Sequence, residues 1–227
     1  MILKVLLVLI MAYLIGSIPF GLLVVKLFSG KDIRKIESGR TGGTNAMRAA
    51  GFLSGLFTMI FDVLKGTLAI WLVSVITLME APWIYWVQIA AGILAIIGHN
   101  YSIFLIEQME DKKIRFRGGA GGATTLGGAI GLWPVSLAII LPVAILVFFF
   151  IGYASVTTMS IAFLTTMVFL YRAIIGASPW AYVIFGVIAE ILLVIALKPN
   201  IQRLKEGKER LVGLRAILKK KMQTPAV

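Results

Sequence analysis

Long apolar segments alternate with short polar ones along most of the chain. Apolar runs cover about residues 5–25, 53–79, 83–106, 156–171 and 180–197, and a further apolar stretch covers 124–151. A helix needs roughly twenty apolar residues to cross the hydrocarbon core of a bilayer. We therefore predict an all-α integral membrane protein, built as a single polytopic membrane domain over residues 1–227, with a basic cytoplasmic tail at about 198–227.

The composition supports this class. Hydrophobic residues make up 59% of the chain and charged residues 14%, whereas a soluble domain carries about 25% charged residues. The first apolar run is longer than the core of a signal peptide and lacks a small-residue cleavage pattern, so we expect it to be retained. The chain has no cysteine and one histidine, His99, which disfavours a thiolate or histidine-based metal site.

The stretch 124–151 allows two interpretations. It forms either one helix, or a short helix that ends near Trp133 followed by a second helix after Pro134. In the second case the first helix is roughly half as long as a lipid-facing span. It would then have to be sheltered by neighbouring helices.

The distribution of charge favours the two-helix interpretation. Basic residues are concentrated before Arg48, around Lys112 and Lys113, and in 198–221, where nine basic and two acidic side chains give a net charge of +7. Because short cytoplasmic segments are enriched in Lys and Arg, all three belong on the cytoplasmic side. We therefore predict seven transmembrane helices with a short fourth one, the N-terminus outside and the C-terminus cytoplasmic.

Three features each leave two interpretations open. Asp62 and Lys65 lie three residues apart in a predicted span, either as a self-neutralising ion pair or as part of a polar cavity. His99 is either a structural residue or a catalyst. The tail is either a basic amphipathic helix on anionic lipid or a solvated segment.

Three polar segments, 38–48, 115–125 and 200–209, fall on the predicted cytoplasmic side. Glycines let backbone N–H groups line a concavity that binds phosphate, and helix N-termini add further donors. Arg48 adds a guanidinium suited to bidentate phosphate recognition. In the alternative, the glycines only serve packing and turns, and the cations only set topology. Two such loops on one face favour a phosphate site, although neither has the pattern of a P-loop.

Motifs in these segments and in the flanking helices occur in a recognisable order. They are Gly16-Ser17-Ile18-Pro19-Phe20-Gly21; Asp32-Ile33-Arg34-Lys35; Ser38-Gly39 with Gly42, Thr44-Asn45 and Arg48; Asp62-Val63-Leu64-Lys65-Gly66; Gly98-His99-Asn100; Phe116 with Gly118-Gly119, Gly121 and Ala123-Thr124; and Asn200-Ile201 with Arg203-Leu204, Gly207 and Glu209. Together they resemble the bacterial acyl-phosphate:glycerol-3-phosphate acyltransferase family from about Ala12 to Arg210.

The resemblance implies a seven-helix cell (inner) membrane enzyme whose active site faces the cytoplasm. Such an enzyme moves a fatty acyl group from acyl phosphate to the 1-hydroxyl of glycerol 3-phosphate, the entry to phospholipid synthesis. Catalysis in the family is substrate-assisted, a phosphate oxygen taking the hydroxyl proton. The implied catalytic residues are Ser38, Arg48, Ser155 and Asn200. The implied phosphate- and substrate-binding residues are Gly39, Arg40, Thr44, Asn45, Arg117, Gly118, Gly119, Gly121, Gly122, Thr124, Arg203, Gly207 and Glu209.

The sequence departs from the family pattern at five positions. Ala120 and Gly122 replace a lysine and a valine of the second motif, and Leu197 replaces a histidine before the third. Arg40 stands where an asparagine is usual, and Gly152 where an arginine is expected. An unreplaced charge-assisted contact costs about 1.5–3 kcal/mol. Arg40 or Arg117 would have to supply the missing charge.

We expect no cofactor, no metal and no nucleic-acid partner, and a monomeric chain in contact with membrane lipid. The mechanism of the soluble-type phospholipid acyltransferases is excluded, because it needs an aspartate five residues after its histidine and Phe104 occupies that position. Two alternatives remain: a diverged relative with an altered acceptor or lost activity, and a small transporter of a phosphorylated solute.

Overall fold

The computed structural model describes residues 1–108 and 114–223 and is almost entirely helical. Lys112 and Lys113, which helped to assign the side of the second loop, lie outside the described residues. The helices are α1 (Ile2–Ser17), α2 (Phe20–Ser29), α3 (Gly43–Ala50), α4 (Phe52–Thr77), α5 (Trp83–Asn100), α6 (Gly122–Leu132), α7 (Ser136–Leu146), α8 (Ala154–Ile174), α9 (Ala181–Lys205) and α10 (Gly213–Gln223).

The described residues contain five segments long and apolar enough to cross a membrane: Ile2–Ser29, Phe52–Thr77, Trp83–Leu105, Ala154–Ile174 and Ala181–Lys205. Large apolar side chains cover their outer surfaces; Trp71, Phe163 and Ile191 are each more than half exposed. A soluble protein does not present such a continuous apolar exterior. The chain is therefore a multi-pass membrane protein.

The first predicted span is broken near Pro19. α1 ends at Ser17 and α2 begins at Phe20, because proline has no N–H to continue the helical ladder. The Ile18 carbonyl, which lies between the two helices, accepts hydrogen bonds from the Phe20 N–H at 3.0 Å and from Lys65 Nζ at 3.2 Å. The helix is thus interrupted at the position of the predicted kink, and Lys65 of α4 contacts the chain at the break.

The stretch 124–151 contains two helices, as the charge distribution predicted. α6 ends at Leu132, and α7 begins at Ser136 after the Trp133-Pro134 turn. α7 then passes into a π-helical segment, Val147–Ile151. α6 is sheltered, since most of its residues are buried.

Glycine permits the close packing of α6 against α4. A Cβ on Gly66 would lie 2.2 Å from the Thr124 carbonyl oxygen, and one on Gly127 would lie 1.9 Å from the Val63 carbonyl oxygen. Neither distance is compatible with a side chain, so the two backbones touch directly. Small residues serve this purpose at helix contacts within membranes.

The core of the second half of the bundle lies between α5, α6, α8 and α9. Phe169 and Phe185 are fully buried there, and Tyr182 packs edge-on against Phe169 with ring centroids 5.5 Å apart. The Tyr182 hydroxyl donates to Gln88 Oε1 at 3.1 Å. These contacts hold α9 in place, and α9 carries the third polar segment.

The structure corrects three sequence predictions at the polar end of the bundle. The fold is not purely helical, because β1 (Ile106–Gln108) and β2 (Ile114–Phe116) pair antiparallel. α5 ends at Asn100 rather than 106, because the chain turns so that Ser102 N–H reaches the Arg117 carbonyl at 3.0 Å. α9 does not end at 197; it continues past Pro199 to Lys205.

The last described element, α10, confirms a helix in the basic tail. Before it, Tyr153 and Leu211 form an isolated bridge, and the Val212 N–H donates to the Gly152 carbonyl at 2.9 Å. We call residues 206–212, which join α9 to α10, the strap. The strap crosses the start of α8.

Candidate functional site

The first two glycine-rich loops lie side by side. The Thr41 N–H donates to the Gly118 carbonyl at 3.2 Å, and Arg117 Nη1 donates to the Arg34 carbonyl at 3.2 Å. Gly39, with φ +66°, leaves room for the Arg117 guanidinium, which lies 2.9 Å from the position of a Cβ. Segments about eighty residues apart in sequence therefore form one surface.

Side-chain hydrogen bonds shape the first loop. Asn45 is buried, and its Nδ2 donates to the carbonyls of Arg40, Ile36 and Ile33 at 2.8, 3.0 and 3.3 Å. These carbonyls belong to the turn that precedes α3. Asn45, which the resemblance assigned to substrate binding, thus uses its amide nitrogen to hold the loop in shape.

In the second loop, the backbone packs so closely against its neighbours that there is no room for side chains at Gly118 and Gly119. A Cβ on Gly119 would lie 1.9 Å from His99 Nε2, and one on Gly118 would lie 2.1 Å from the His99 carbonyl oxygen. The Gly119 N–H donates to that carbonyl at 2.9 Å. Gly121 has φ +92°, a conformation that favours glycine. The loop thus follows the end of α5 with its backbone pressed against it.

A buried polar cluster supports the second loop from behind. Asp62 Oδ1 lies 2.9 Å from Lys65 Nζ and 3.5 Å from His99 Nδ1, and all three side chains are at most 5% exposed. The ion pair predicted from the spacing of Asp62 and Lys65 therefore forms, and His99 joins it. The second ring nitrogen of His99, Nε2, lies next to Gly119. The cluster therefore positions the glycine loop through His99.

The third polar segment meets the start of α8 through Glu209. Ser155 Oγ donates to Glu209 Oε2 at 2.7 Å, and Asn200 Nδ2 donates to Glu209 Oε1 at 3.1 Å. Both Ser155 and Asn200 lie on helices, in α8 and α9, rather than in the loops predicted for them. The Glu209 carboxylate therefore joins Ser155 of α8 to Asn200 of α9, so that three candidate residues from three elements are in contact.

The strap also reaches the first loop. Arg210 of the strap pairs with Glu37, immediately before Ser38. Arg40 crosses to α9 and donates to the carbonyl of Ala196. All three polar segments thus lie at one end of the bundle and are joined by direct contacts.

Two arginines give this end a positive field. Burial lowers the pKa of the Arg40 guanidinium from its ordinary value, and the charge of Arg203 lowers it further. Partial burial lowers the pKa of Arg48, while the charge of Glu209 acts in the opposite direction. A cation held away from water with incomplete neutralisation is stabilised by an anion. The site therefore suits a phosphate-bearing molecule.

The remaining candidate residues occupy different positions around this surface. Ser38 is exposed, and its Oγ accepts the Arg40 N–H at 3.4 Å. Thr44 lies in the first turn of α3, and Gly122 begins α6. Thr124 is fully buried, and its hydroxyl has no hydrogen-bond partner within residues 1–108 and 114–223. Arg203 is exposed at the end of α9, and Gly207 follows it in a left-handed turn with φ +67°.

Sequence reasoning missed Glu107. Its carboxylate accepts from Arg117 Nε at 2.5 Å and from Arg34 Nη1 at 3.4 Å. The Arg117 guanidinium is thereby engaged inside the protein, so Arg40 is the better placed of the two arginines to replace a missing cation. Glu107 lies opposite Arg115 in the β1–β2 pair, but strands of three residues are too short for the sequence to reveal this pairing.

Asn100 is the second missed residue. Its side chain is 5% exposed, and its Oδ1 lies 2.8 Å from the position of a Cβ on Gly121. Neither atom of its amide has a hydrogen-bond partner in the described part of the chain. A buried amide in this position offers both a donor and an acceptor beside the glycine loop.

The chemistry available here is anion binding by guanidinium groups and backbone N–H groups. No group of three or more histidine, aspartate or glutamate side chains that could hold a metal ion occurs in residues 1–108 and 114–223. The carboxylate nearest the arginines, Glu209, already accepts two hydrogen bonds. The geometry therefore favours the positioning of charged reactants over abstraction of a proton by a protein base.

Comparison with protein families agrees with the motif pattern. A family model described as glycerol-3-phosphate acyltransferase matches residues 6–207. A glycerol-3-phosphate acyltransferase of Moorella thermoacetica is 37% identical over 93% of this chain and 99% of its own length. One from Dehalococcoides mccartyi is 36% identical over 91% of this chain and 95% of its own length.

Solved structures show the same fold. A crystal structure of PlsY, an integral membrane glycerol 3-phosphate acyltransferase in its glycerol 3-phosphate form, superposes with a TM-score of 0.76 at 28% identity. It covers 94% of this chain and 98% of its own. The lysophosphatidic acid form of the same protein gives a TM-score of 0.75 at 27% identity.

Proposed function

This chain belongs to the glycerol-3-phosphate acyltransferase family, and on that premise we propose that it transfers a fatty acyl group from acyl phosphate to the 1-hydroxyl of glycerol 3-phosphate. The products are lysophosphatidic acid and inorganic phosphate. The chain is a membrane-embedded acyltransferase of phospholipid synthesis.

The single observation that carries the proposal is the convergence of three basic or glycine-rich segments at one end of the bundle. Thr41 bonds to Gly118, Arg40 bonds to Ala196, and Glu209 joins Ser155 to Asn200. An acyl phosphate and glycerol 3-phosphate both carry a phosphoryl group. A surface with two incompletely neutralised arginines beside glycine-rich backbone suits such a pair.

The proposed reaction needs no protein base. The 1-hydroxyl oxygen of glycerol 3-phosphate attacks the acyl carbonyl carbon, and the bond from that carbon to the phosphate oxygen breaks. The phosphate leaves with the electron pair and accepts the hydroxyl proton. Because the acyl group is already activated, positioning and charge stabilisation supply most of the rate.

In this scheme the first loop and α3 bind the negatively charged phosphoryl groups of the substrates. Arg48 and Arg40 hold phosphoryl groups, and Ser38 and Thr44 contribute hydroxyls at the same surface. Gly118, Gly121 and Gly122 supply backbone donors, and Gly119, whose N–H already donates to the His99 carbonyl, supplies close approach. Ser155 and Asn200, both bound to Glu209, would orient the glycerol hydroxyl, and Arg203 adds positive charge.

We also propose the arrangement of the chain in the membrane. A single domain crosses seven times, counting the short α6, with the N-terminus outside and the C-terminus in the cytoplasm of the cell (inner) membrane, as a monomer. The enrichment of Lys and Arg at the site end supports this orientation. Because the chain has no cysteine, Ala177→Cys, at an exposed position, and Lys219→Cys can each be tested alone with an impermeant thiol reagent in intact cells. Labelling of Ala177→Cys only is expected.

The donor is tested by turnover of the purified protein in detergent. Palmitoyl phosphate with glycerol 3-phosphate should release phosphate and form lysophosphatidic acid, whereas palmitoyl-CoA should not serve. A heat-treated sample and Arg48→Ala provide the controls. Equal turnover with palmitoyl-CoA, or phosphate release unaffected by Arg48→Ala, would overturn the proposal.

A second candidate is the same transfer to a different phosphorylated acceptor. It rests on the side chains of Ala120 and Leu197, which carry no charge where the family resemblance implies lysine and histidine. Arg40 bonds to the carbonyl of Ala196, beside Leu197, so it brings a cation back to this position. An acceptor screen separates the two, because this candidate requires another acceptor to exceed glycerol 3-phosphate in kcat/KM.

A further inference from the structure

The two faces of α10 differ in chemistry. Leu214, Ile217, Leu218 and Met222 recur at spacings of three and four residues, which places them on one face of the helix. Their exposed fractions run from 41% to 80%. The helix has no acidic residue. Within residues 1–108 and 114–223, it therefore presents an exposed apolar face on a strongly basic element.

α10 begins beside the π-helical segment Val147–Ile151, which follows α7. A Cβ on Gly213 would lie 2.7 Å from the Cα of Phe149, and Arg215 Nη1 donates to the Ile151 carbonyl at 3.0 Å. Phe150 and Ile151, in the same segment, are 63% and 46% exposed. α10 therefore begins beside exposed apolar side chains at the end of α7.

Cations lie on both sides of the helix. Lys221 lies among the apolar residues on the helical wheel, Arg215 lies at their edge, and Lys219 and Lys220 lie on the other side. That other side borders a cavity of about 400 Å³, which is also lined by Lys208 and Arg210 of the strap. Long basic side chains that flank an apolar face are typical of helices in the interfacial plane of a membrane.

We propose that α10 is an interfacial helix that binds the anionic phospholipids of the leaflet at the site end of the bundle. Its apolar face enters the boundary between headgroups and acyl chains, and Lys219 and Lys221 bind the phosphates. This element lies beyond residues 6–207, the range that matches the family. The inference therefore goes beyond the acyltransferase activity.

Charge complementarity and position identify anionic lipid as the partner of the apolar face of α10. The helix is tethered by a short strap to spans that are already in the bilayer, so the apolar face of a helix that begins beside the end of α7 meets lipid before any soluble partner. A second copy of the chain would have to bring its own lysines into the same contact, and like charges repel. Anionic lipid satisfies both the apolar face and the cations.

The natural absence of cysteine allows a direct test in the full-length protein. Leu218→Cys and Ala216→Cys, on opposite faces of α10, are labelled separately with an environment-sensitive fluorophore and placed in nanodiscs. The nanodiscs contain phosphatidylcholine with increasing phosphatidylglycerol, and a brominated acyl chain serves as quencher. Quenching of the Leu218→Cys probe should rise with phosphatidylglycerol, and the Ala216→Cys probe should stay largely unquenched.

A charge variant sharpens the test. Lys219→Gln and Lys221→Gln together should raise the phosphatidylglycerol fraction needed for half-maximal quenching several-fold, since each lysine near an anionic surface contributes about fivefold in affinity. The matched control combines Lys26→Gln and Lys35→Gln. It removes the same charge elsewhere and should leave the titration unchanged.

Three results would overturn the inference. They are no quenching of the Leu218→Cys probe at any lipid composition, quenching that is independent of phosphatidylglycerol, or ready oxidation of unlabelled Leu218→Cys to a disulfide-linked dimer. The last result would assign the face to a second copy. All three readouts are independent of turnover, so their failure is distinct from failure of the proposed acyl transfer.

Discussion

The two glycine-rich loops of the site are built in opposite ways. The first, residues 38–48, is held by side chains: Asn45 binds three carbonyls, and Arg40 reaches across to α9. The second, residues 118–122, depends on the absence of side chains, because the backbone at Gly118 and Gly119 lies so close to His99 that a Cβ would not fit.

This difference separates two tasks that a phosphate site requires. The first loop supplies cations and can vary wherever another side chain provides the same bond or charge. The second supplies backbone donors at fixed positions, and its geometry depends on space. Charge is therefore adjustable at this site, whereas the shape of the second loop is not.

The largest expected effect comes from adding one methyl group to the second loop. Gly119→Ala places a Cβ 1.9 Å from His99 Nε2, so the loop or the histidine must shift. A misplacement of about 1 Å costs roughly a hundredfold in rate, and the midpoint of thermal unfolding in detergent should fall as well. Gly42→Ala is the matched change in the first loop, where a Cβ meets nothing within 4 Å. Its unfolding midpoint should stay close to that of the parent.

Removing a cation from α3 should be the next largest effect. Arg48→Ala removes a charge-assisted contact worth about 1.5–3 kcal/mol, which corresponds to a loss of roughly tenfold to a hundredfold in kcat/KM. Arg48→Lys should lose less, because it keeps the charge but not the bidentate geometry. Steady-state kinetics with both substrates measure the effect. Arg172→Gln, where the guanidinium stacks 3.7 Å from the Trp133 ring centre at the other end of the bundle, should leave kcat/KM within a few-fold. An equal loss in both variants would contradict the assignment of Arg48.

Asn45→Ala tests whether side chains really hold the first loop. It leaves three carbonyls without their shared donor, and the free energy of unfolding should fall by about 1–3 kcal/mol. Denaturation in detergent, followed by intrinsic fluorescence, measures the change. Thr44→Ala, at the neighbouring position, should leave the unfolding curve close to that of the parent. Similar unfolding curves for Asn45→Ala and the parent would contradict this account.

The smallest effect tests whether the second loop accepts a cation. Ala120 is partly exposed, so Ala120→Lys can direct its ammonium towards the site. A gain of up to roughly tenfold in kcat/KM is expected, mainly through a lower KM. Ala120→Gln has a similar length without charge and should show no gain. A loss of activity with both variants would mean that the loop has no space for a longer side chain.

Hydrophobic periodicity and charge predicted much of the fold. Lipid imposes a strong length requirement on every span, so the apolar runs marked the long helices, and the +7 tail favoured the division near Trp133. The continuation of α9 past Pro199 was not predictable, since whether a proline ends or only interrupts a helix depends on its neighbours. The pairing of β1 with β2 was also missed, because two three-residue strands have too few positions to show alternation.

Sequence motifs located the candidate site but did not predict the hydrogen bonds between its residues. They placed Ser155, Asn200 and Glu209 in one region without showing that the carboxylate joins the other two. Nor did they show that Arg40 bonds beside Leu197, or that Glu107 holds Arg117. Such contacts depend on how distant helices pack, and spacing along the chain carries little information about that.

The brevity of α6 has a consequence for biogenesis. Its eleven residues span about 17 Å at 1.5 Å per residue, too little to stay in hydrocarbon alone, and its glycines press directly on the α4 backbone. For α6 as the proposed fourth crossing, we expect release into lipid only together with α4. The α4–α6 contact is then expected to form early in assembly.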